Sequence, residues 1–88
     1  MVKDLTSLRE EIDQLDKQLW EIIGKRVDVA RQIGEWKHQH GEQIVHPERW
    51  QQVVEHCLSQ GKQHGLSEEL VHKVMEALHK ESINVETR

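Results

Sequence analysis

Apolar residues recur along the first third of the chain with the seven-residue repeat of a helix that packs against another helix. Between residues 5 and 36, nine of the ten positions on the two heptad lines are apolar. These ten positions are Leu5, Leu8, Ile12, Leu15, Leu19, Ile22, Arg26, Val29, Ile33 and Trp36, here called the seam. The pattern predicts one long helix over residues 5–38, with Asp4 or Thr6 as its N-cap.

Two shorter amphipathic segments follow the long helix. Pro47 suits the first turn of a helix, and the apolar spacing behind it predicts a second helix over residues 47–60. Ser67, followed by two glutamates, is a helix-start signal, and the apolar stripe behind it predicts a third helix over residues 67–86. The segments between the helices, residues 38–45 and 61–65, are predicted to be loops. The sequence therefore indicates an all-α fold of three helices.

The apolar stripe of the third helix turns polar towards its end. One turn past Leu78 the stripe reaches Ser82, and a further turn reaches Glu86. A stripe of this kind either lines a cavity or belongs to a frayed helix end in solvent. Spacing alone favours the frayed end, so it predicts that Glu86 is exposed.

Basic residues in and near the seam indicate a site for an anion. Arg26 carries a permanent charge that is costly to bury without a partner, so its place in the seam calls for an anion. Lys37 lies eleven residues on, roughly 16 Å along the axis on nearly the same face, and the two side chains can bracket one small anion. Arg49, in the first turn of the second helix, also lies where a helix N-terminus favours negative charge.

Arg9 lies seventeen residues before Arg26, roughly 25 Å along the same helix, which is too far for both to hold one small ligand. Two interpretations remain open from the residues alone. Arg9 pairs in solvent with Asp13, one turn on, or it serves a site in a second copy of the chain. An antiparallel pairing of two long helices would bring Arg9 of one protomer towards Arg26 and Lys37 of its partner, giving two equivalent sites per dimer.

Composition narrows the class of protein. The 88 residues are enough for one small domain, residues 1–88, with a modest core that oligomerisation would help to stabilise. The formal net charge is -4 and the bases alternate with acids, so neither a nucleic-acid partner nor a membrane is expected. One cysteine excludes an internal disulfide, and with no stretch resembling a signal peptide or a membrane span, a cytoplasmic location is expected.

Neither a metal site nor a nucleophile is indicated. The seven histidines are scattered without the spacing of zinc ligands, and Cys57 lies on the apolar face of the second helix, where it is interpreted as a core residue. No serine, histidine and aspartate set and no glycine-rich phosphate loop is evident. The candidate residues that remain are cations and hydrogen-bonding groups. Such residues can bind and orient a ligand and stabilise its charge, but they are poorly suited to covalent chemistry.

Five short motifs together resemble the all-helical (AroQ-type) chorismate mutases, including the bacterial mutase domains of bifunctional aromatic-pathway enzymes. They are Leu8-Arg9-x-x-Ile12-Asp13-x-x-Asp16-x-x-Leu19, Lys25-Arg26, Ile33-Gly34-x-x-Lys37, Pro47-Glu48-Arg49 and Glu81-Ser82-Ile83. The resemblance extends over nearly the whole chain. It implies an intertwined homodimer of three-helix chains and the unimolecular Claisen rearrangement of chorismate to prephenate, on the way to phenylalanine and tyrosine, without a cofactor.

The same resemblance implies a role for each site residue. Arg9 of the partner chain, Arg26 and Arg49 would hold the two carboxylates of chorismate, with help from Ser82. Lys37 and Glu86 would reach the ether oxygen from opposite sides. Partial negative charge grows on that oxygen as the carbon–oxygen bond opens, so preorganised donors there lower the barrier.

This chain departs from the family pattern at three positions. Glu86 stands where bacterial members usually have glutamine, and a carboxylate there must be protonated to help, so activity is expected to rise on acidification. His46 and Trp50 stand where familiar members place acids that bind the ring hydroxyl, which makes both candidates for substrate contact. His46 or a backbone N–H at the start of the second helix would then replace the acids, while the apolar stripe favours a core position for Trp50.

Two alternatives stay open at the level of sequence. The related isochorismate-pyruvate lyases share the fold, the cationic site and a segment like Pro47-Glu48-Arg49, but they eliminate pyruvate to give salicylate. A non-catalytic helical module that dimerises with or regulates a fused aromatic-pathway enzyme is the second alternative. The contexts of Asp13 and Ser82 favour the mutase, and a purely structural module has no reason to keep Arg26 in its seam.

Overall fold

Three α-helices account for most of the protein. The computed structural model describes residues 4–88, and α1 spans Leu5–His40, α2 spans Pro47–Gln63 and α3 spans Glu68–Glu86. No strand occurs in this part of the chain. The predicted all-α class and the number of helices are therefore confirmed.

Side-chain caps begin two of the helices. Asp4 accepts a hydrogen bond from the Ser7 backbone N–H at 2.8 Å, so Asp4, and not Thr6, is the N-cap of α1. Ser67 accepts the backbone N–H of Leu70 at 3.1 Å, as its sequence context predicted. Both caps satisfy N–H groups that have no partner within the helix.

Two helix ends lie beyond the predicted ones. α1 continues to His40 because Gly41, at φ 65°, forms the left-handed cap that ends it, so residues 38–40 are helical and not part of a loop. α2 continues to Gln63, and the prediction that Gly61 begins a turn was wrong. Gly61 is buried, and a Cβ there would lie 2.5 Å from Cγ2 of Val71, so the missing side chain lets α3 approach α2.

α3 is the central element of the arrangement. It packs against both α1 and α2, whereas α1 and α2 do not pack on each other within the described residues. The buried apolar core is small and consists of Ala30, Val71, Met75 and Val85. The radius of gyration is 16.5 Å, against about 12 Å for a compact chain of this length. A single chain is therefore elongated, with little interior of its own.

The seam of α1 lies open in the single chain. All nine of its apolar residues, from Leu5 to Trp36, are between 44% and 63% exposed. An exposed apolar strip of this length marks a contact surface. Among the helices of the described residues, none is long and apolar enough to span a membrane.

Candidate active site

A cavity of about 550 Å³ opens between the second half of α1, the start of α2 and the last two turns of α3. Its walls include apolar side chains such as Val29, Ile33 and Val53. Seven of the eight site residues predicted from the sequence line this cavity. They are Arg26, Lys37, His46, Arg49, Trp50, Ser82 and Glu86.

Arg26 joins α1 to α3 at one side of the cavity. Its Nη1 donates to Ser82 Oγ at 2.7 Å and lies 3.4 Å from the Leu78 carbonyl oxygen. The guanidinium is part-buried and held by these contacts, which use one of its nitrogens. Since a guanidinium offers five donors in a planar fork, the rest of the fork is available to a carboxylate.

Lys37 and Glu86 form an ion pair at the other side. Nζ of Lys37 lies 2.8 Å from Oε1 of Glu86, and the two side chains are 16% and 8% exposed. The same Nζ donates to the carbonyl oxygen of Ile44, in the α1–α2 loop, at 2.6 Å. An ammonium has three donors, so one N–H of Lys37 is left for a ligand. Lys37 thus ties the loop and α3 to α1 while keeping a donor free.

Glu86 is 7% exposed, so the prediction of a frayed, exposed end for α3 was wrong. Gly34 explains the burial, because a Cβ on Gly34 would lie 2.7 Å from Cα of Glu86. Only a residue without a side chain lets the last turn of α3 approach α1 this closely. The ring Nε2 of His38 lies 3.1 Å from the Glu86 carbonyl oxygen and adds a second contact at the same turn. Sequence reasoning had placed His38 in a loop and missed this contact.

The start of α2 supplies three residues of the site. Arg49 is exposed and lines the cavity from the first turn. His46 is the N-cap residue, and its Nε2 lies 2.7 Å from the carbonyl oxygen of Gln43. Trp50 is half-buried and lines the cavity, so it belongs to the site as well as to the apolar stripe of α2.

His79 is the site residue that sequence reasoning missed. Its ring stacks on the indole of Trp50, with centroids 3.8 Å apart and planes inclined by 14°. It lies three residues before Ser82 and seven before Glu86, on the same face of α3. That helical spacing was the signal that could have identified it.

Arg9 lies outside the cavity, as its distance from Arg26 along α1 predicted. It is exposed, and within residues 4–88 it makes no ion pair with Asp13. The continuous helix from Leu5 to His40 keeps it roughly 25 Å from Arg26 along the axis. The described residues also contain no group of three or more potential metal ligands.

Comparisons with known proteins agree with this arrangement. The family model described as chorismate mutase type II matches residues 8–87. The T-protein of Haemophilus influenzae is 36% identical over 78 residues, which cover 89% of this chain and 21% of that protein. The chorismate mutase of Methanocaldococcus jannaschii is 28% identical over 78 residues, covering 89% of this chain and 79% of that protein.

A third relative is named as a fusion. The bifunctional chorismate mutase/prephenate dehydratase of Aquifex aeolicus is 32% identical over 62 residues, covering 70% of this chain and 17% of that protein. The chain thus spans about a fifth of the length of the T-protein it resembles. The family match, in contrast, covers nearly all of the three helices and every residue that lines the cavity. The chain therefore belongs to the chorismate mutase type II family, a family of isomerases.

Proposed function

We propose that this protein catalyses the rearrangement of chorismate to prephenate in the cavity described above. One observation carries the proposal: Arg26, Lys37 and Arg49, from two helices, converge on one cavity that also has apolar walls, among them Val29, Ile33 and Val53. Chorismate is a dianion with an apolar ring, and both parts have a complement there. Fixed cations in an apolar enclosure act strongly because little water screens them.

The arginines hold the substrate in a reactive shape. Arg26 is preoriented by Ser82 Oγ at 2.7 Å, so little freedom is lost when it binds a carboxylate. Arg49 lines the same cavity from the start of α2. Holding both carboxylates brings the side chain of the substrate over its ring, where the new carbon–carbon bond forms.

Lys37 stabilises the charge that develops during the reaction. The step breaks the ether carbon–oxygen bond and forms a carbon–carbon bond within one molecule, so no proton has to be transferred. Partial negative charge appears on the ether oxygen, and the third N–H of Lys37 is directed to it. A preorganised donor of this kind is worth roughly 10²–10³ in rate.

Glu86 offsets part of the charge that Lys37 brings to the site. While it is ionised, its Oε1 accepts from Lys37 at 2.8 Å and offsets the positive charge that the ether oxygen needs. Once protonated, Glu86 donates to the same oxygen and leaves the charge of Lys37 uncompensated. Measuring prephenate formation at pH 5 and pH 7.5 tests the expectation from the sequence that activity rises on acidification.

A paired assay tests the proposed activity. The protein is incubated with chorismate and separately with isochorismate, and prephenate and salicylate are measured at both pH values. Glu86→Gln, which keeps the shape but carries no charge, should be faster than the native chain at pH 7.5. No prephenate at either pH would overturn the proposal. Salicylate from isochorismate would reassign the chain to the lyases, which nothing observed here favours.

The proposal includes a homodimer in which Arg9 completes the partner's site. The exposed apolar seam of α1 supports a second copy, and an antiparallel pairing carries Arg9 towards Arg26 of the other chain. A cytoplasmic location and a fused or associated aromatic-pathway enzyme, as in the relative named as bifunctional, complete the proposal.

Mixing two inactive variants tests the shared site. In a heterodimer of Arg9→Ala and Arg26→Ala chains, one site keeps both arginines and the other loses both. Random mixing should therefore restore about a quarter of the native activity. If each Arg9 served the site of its own chain, unfolding and refolding the mixture would restore nothing.

A further inference from the structure

Most polar side chains of the cavity already make hydrogen bonds within the protein, but His79 does not. Arg26 is hydrogen-bonded to Ser82, and Lys37 is hydrogen-bonded to Glu86. Nε2 of His46 lies within hydrogen-bond distance of the Gln43 carbonyl oxygen. Within residues 4–88, neither ring nitrogen of His79 has a hydrogen-bond partner, although the ring is half-buried and lines the cavity. Ring nitrogens that have no partner in the protein and line a cavity are available to a ligand or to water.

The ring of His79 is nevertheless held in place. It lies flat on the indole of Trp50, 3.8 Å between centroids and 14° between planes, so α2 and α3 together fix its orientation. Aromatic stacking of this kind adds to the stability of a side-chain position without using its polar edge. The two ring nitrogens therefore remain at the edge of the stack, where a ligand can meet them.

The electrostatic setting favours a neutral imidazole. Burial lowers the pKa of His79, Glu86 acts in the opposite direction, and the nearby charges of Arg26 and Lys37 lower it further. Arg49, from α2, also faces the cavity. A neutral imidazole offers one donor and one acceptor, which complements a hydroxyl group. A carboxylate would instead be bound by the cations.

We propose that His79 binds the hydroxyl on the ring of the substrate, and that Trp50 positions it. The inference rests on the proposed function and adds a specificity-determining residue to it. It also explains how a site with His46 and Trp50 in place of acids can still distinguish this substituent. The one carboxylate among the cavity residues, Glu86, is paired with Lys37, so an ammonium group at that ring carbon would find no free carboxylate.

Calorimetry with two bicyclic ether dicarboxylates, one with the ring hydroxyl and one without it, tests the inference without relying on turnover. One hydrogen bond should give the native chain a roughly three- to tenfold preference for the hydroxylated compound. In His79→Leu, that preference should fall to about one, while affinity for the compound without the hydroxyl stays within about twofold. His79→Gln should restore part of the preference, and Trp50→Leu should lower it.

His72→Leu is the matched control, because His72 is exposed on the same helix, two turns before His79. It should keep the native preference. If His79→Leu weakened binding of both compounds equally, with their ratio unchanged, the role of His79 would be structural and the inference overturned. If the two compounds bound but chorismate gave no prephenate, only the proposed function would be overturned. The preference for the hydroxyl could still be measured, so the role of His79 would be tested separately. Binding of neither compound by the native chain would overturn both.

Discussion

The two halves of α1 have the same apolar pattern and different surroundings. In the first half, residues 5–22, every residue is exposed in the single chain, both on the seam and beside it. In the second half, residues 23–37, the face beside the seam is covered by α3, with Ala30 and Gly34 buried. The same helix therefore serves two purposes, and the difference lies in the size of the side chains beside the seam. Small residues admit α3, whereas the larger ones of the first half leave that face uncovered in the single chain.

The largest effect is expected in the first half, from Ile12→Asp. Ile12 is 57% exposed in the single chain, so the change should be harmless unless a partner covers it. In a symmetric dimer two copies of the new carboxylate would be buried, and each would cost several kcal/mol of binding free energy. Association should therefore weaken at least about a thousandfold. Light scattering should then give a mass near the 10.4 kDa of one chain instead of twice that value.

Gln14→Asp is the control for that experiment, because it adds the same charge two residues away and off the seam. It should leave the dimer intact. Dimers of undiminished stability in Ile12→Asp would show that the seam is not the contact surface.

In the second half, Lys37→Gln should lower kcat for prephenate formation by roughly 10²–10³. The amide keeps a hydrogen bond available to Glu86 but removes the charge at the ether oxygen. Lys25→Gln, at an exposed position of the same helix, should change kcat less than twofold. A loss below about tenfold in Lys37→Gln, measured by steady-state kinetics on a dimer of native mass, would remove Lys37 from its catalytic role.

The smallest effects are expected on the free energy of unfolding, from alanine substitutions at two glycines of α1. The two substitutions should change it in opposite directions. Gly34→Ala places a Cβ 2.7 Å from Cα of Glu86 and should reduce the free energy of unfolding by about 1–3 kcal/mol. A Cβ at Gly24 would have no neighbour within 4 Å. Gly24→Ala should therefore raise the free energy of unfolding by about 0.5–1 kcal/mol, because alanine has the higher helix propensity.

Urea titration of both glycine variants measures the two signs directly. Gly34→Ala should also reduce activity, because α3 has to move and Glu86 moves with it. Equal stabilisation by the two substitutions would mean that the close approach of α1 and α3 is absent in solution.

The sequence was sufficient to predict that the three elements are helices and where most of them begin, because both depend on residues that are close together in the sequence. Ser67 and Pro47 act on the turns beside them, and the seam repeats within one helix. The helix ends were less accurate: a glycine can stop a helix, as Gly41 does, or lie inside one, as Gly61 does. Only the approach of α3, with Val71 against Gly61, distinguishes the two cases.

The sequence by itself determined the three helices, the cations of the site and the family to which their order and spacing correspond. The tertiary structure decided that Glu86 is buried on Gly34 and paired with Lys37, and that His79 lies against Trp50. These contacts join residues that are far apart in sequence, and helical periodicity carries no information about which two faces meet. An apolar stripe that turns polar at its end has the same sequence pattern whether that end lies in water or against another helix. In α3, packing against α1 makes the polar end part of the cavity.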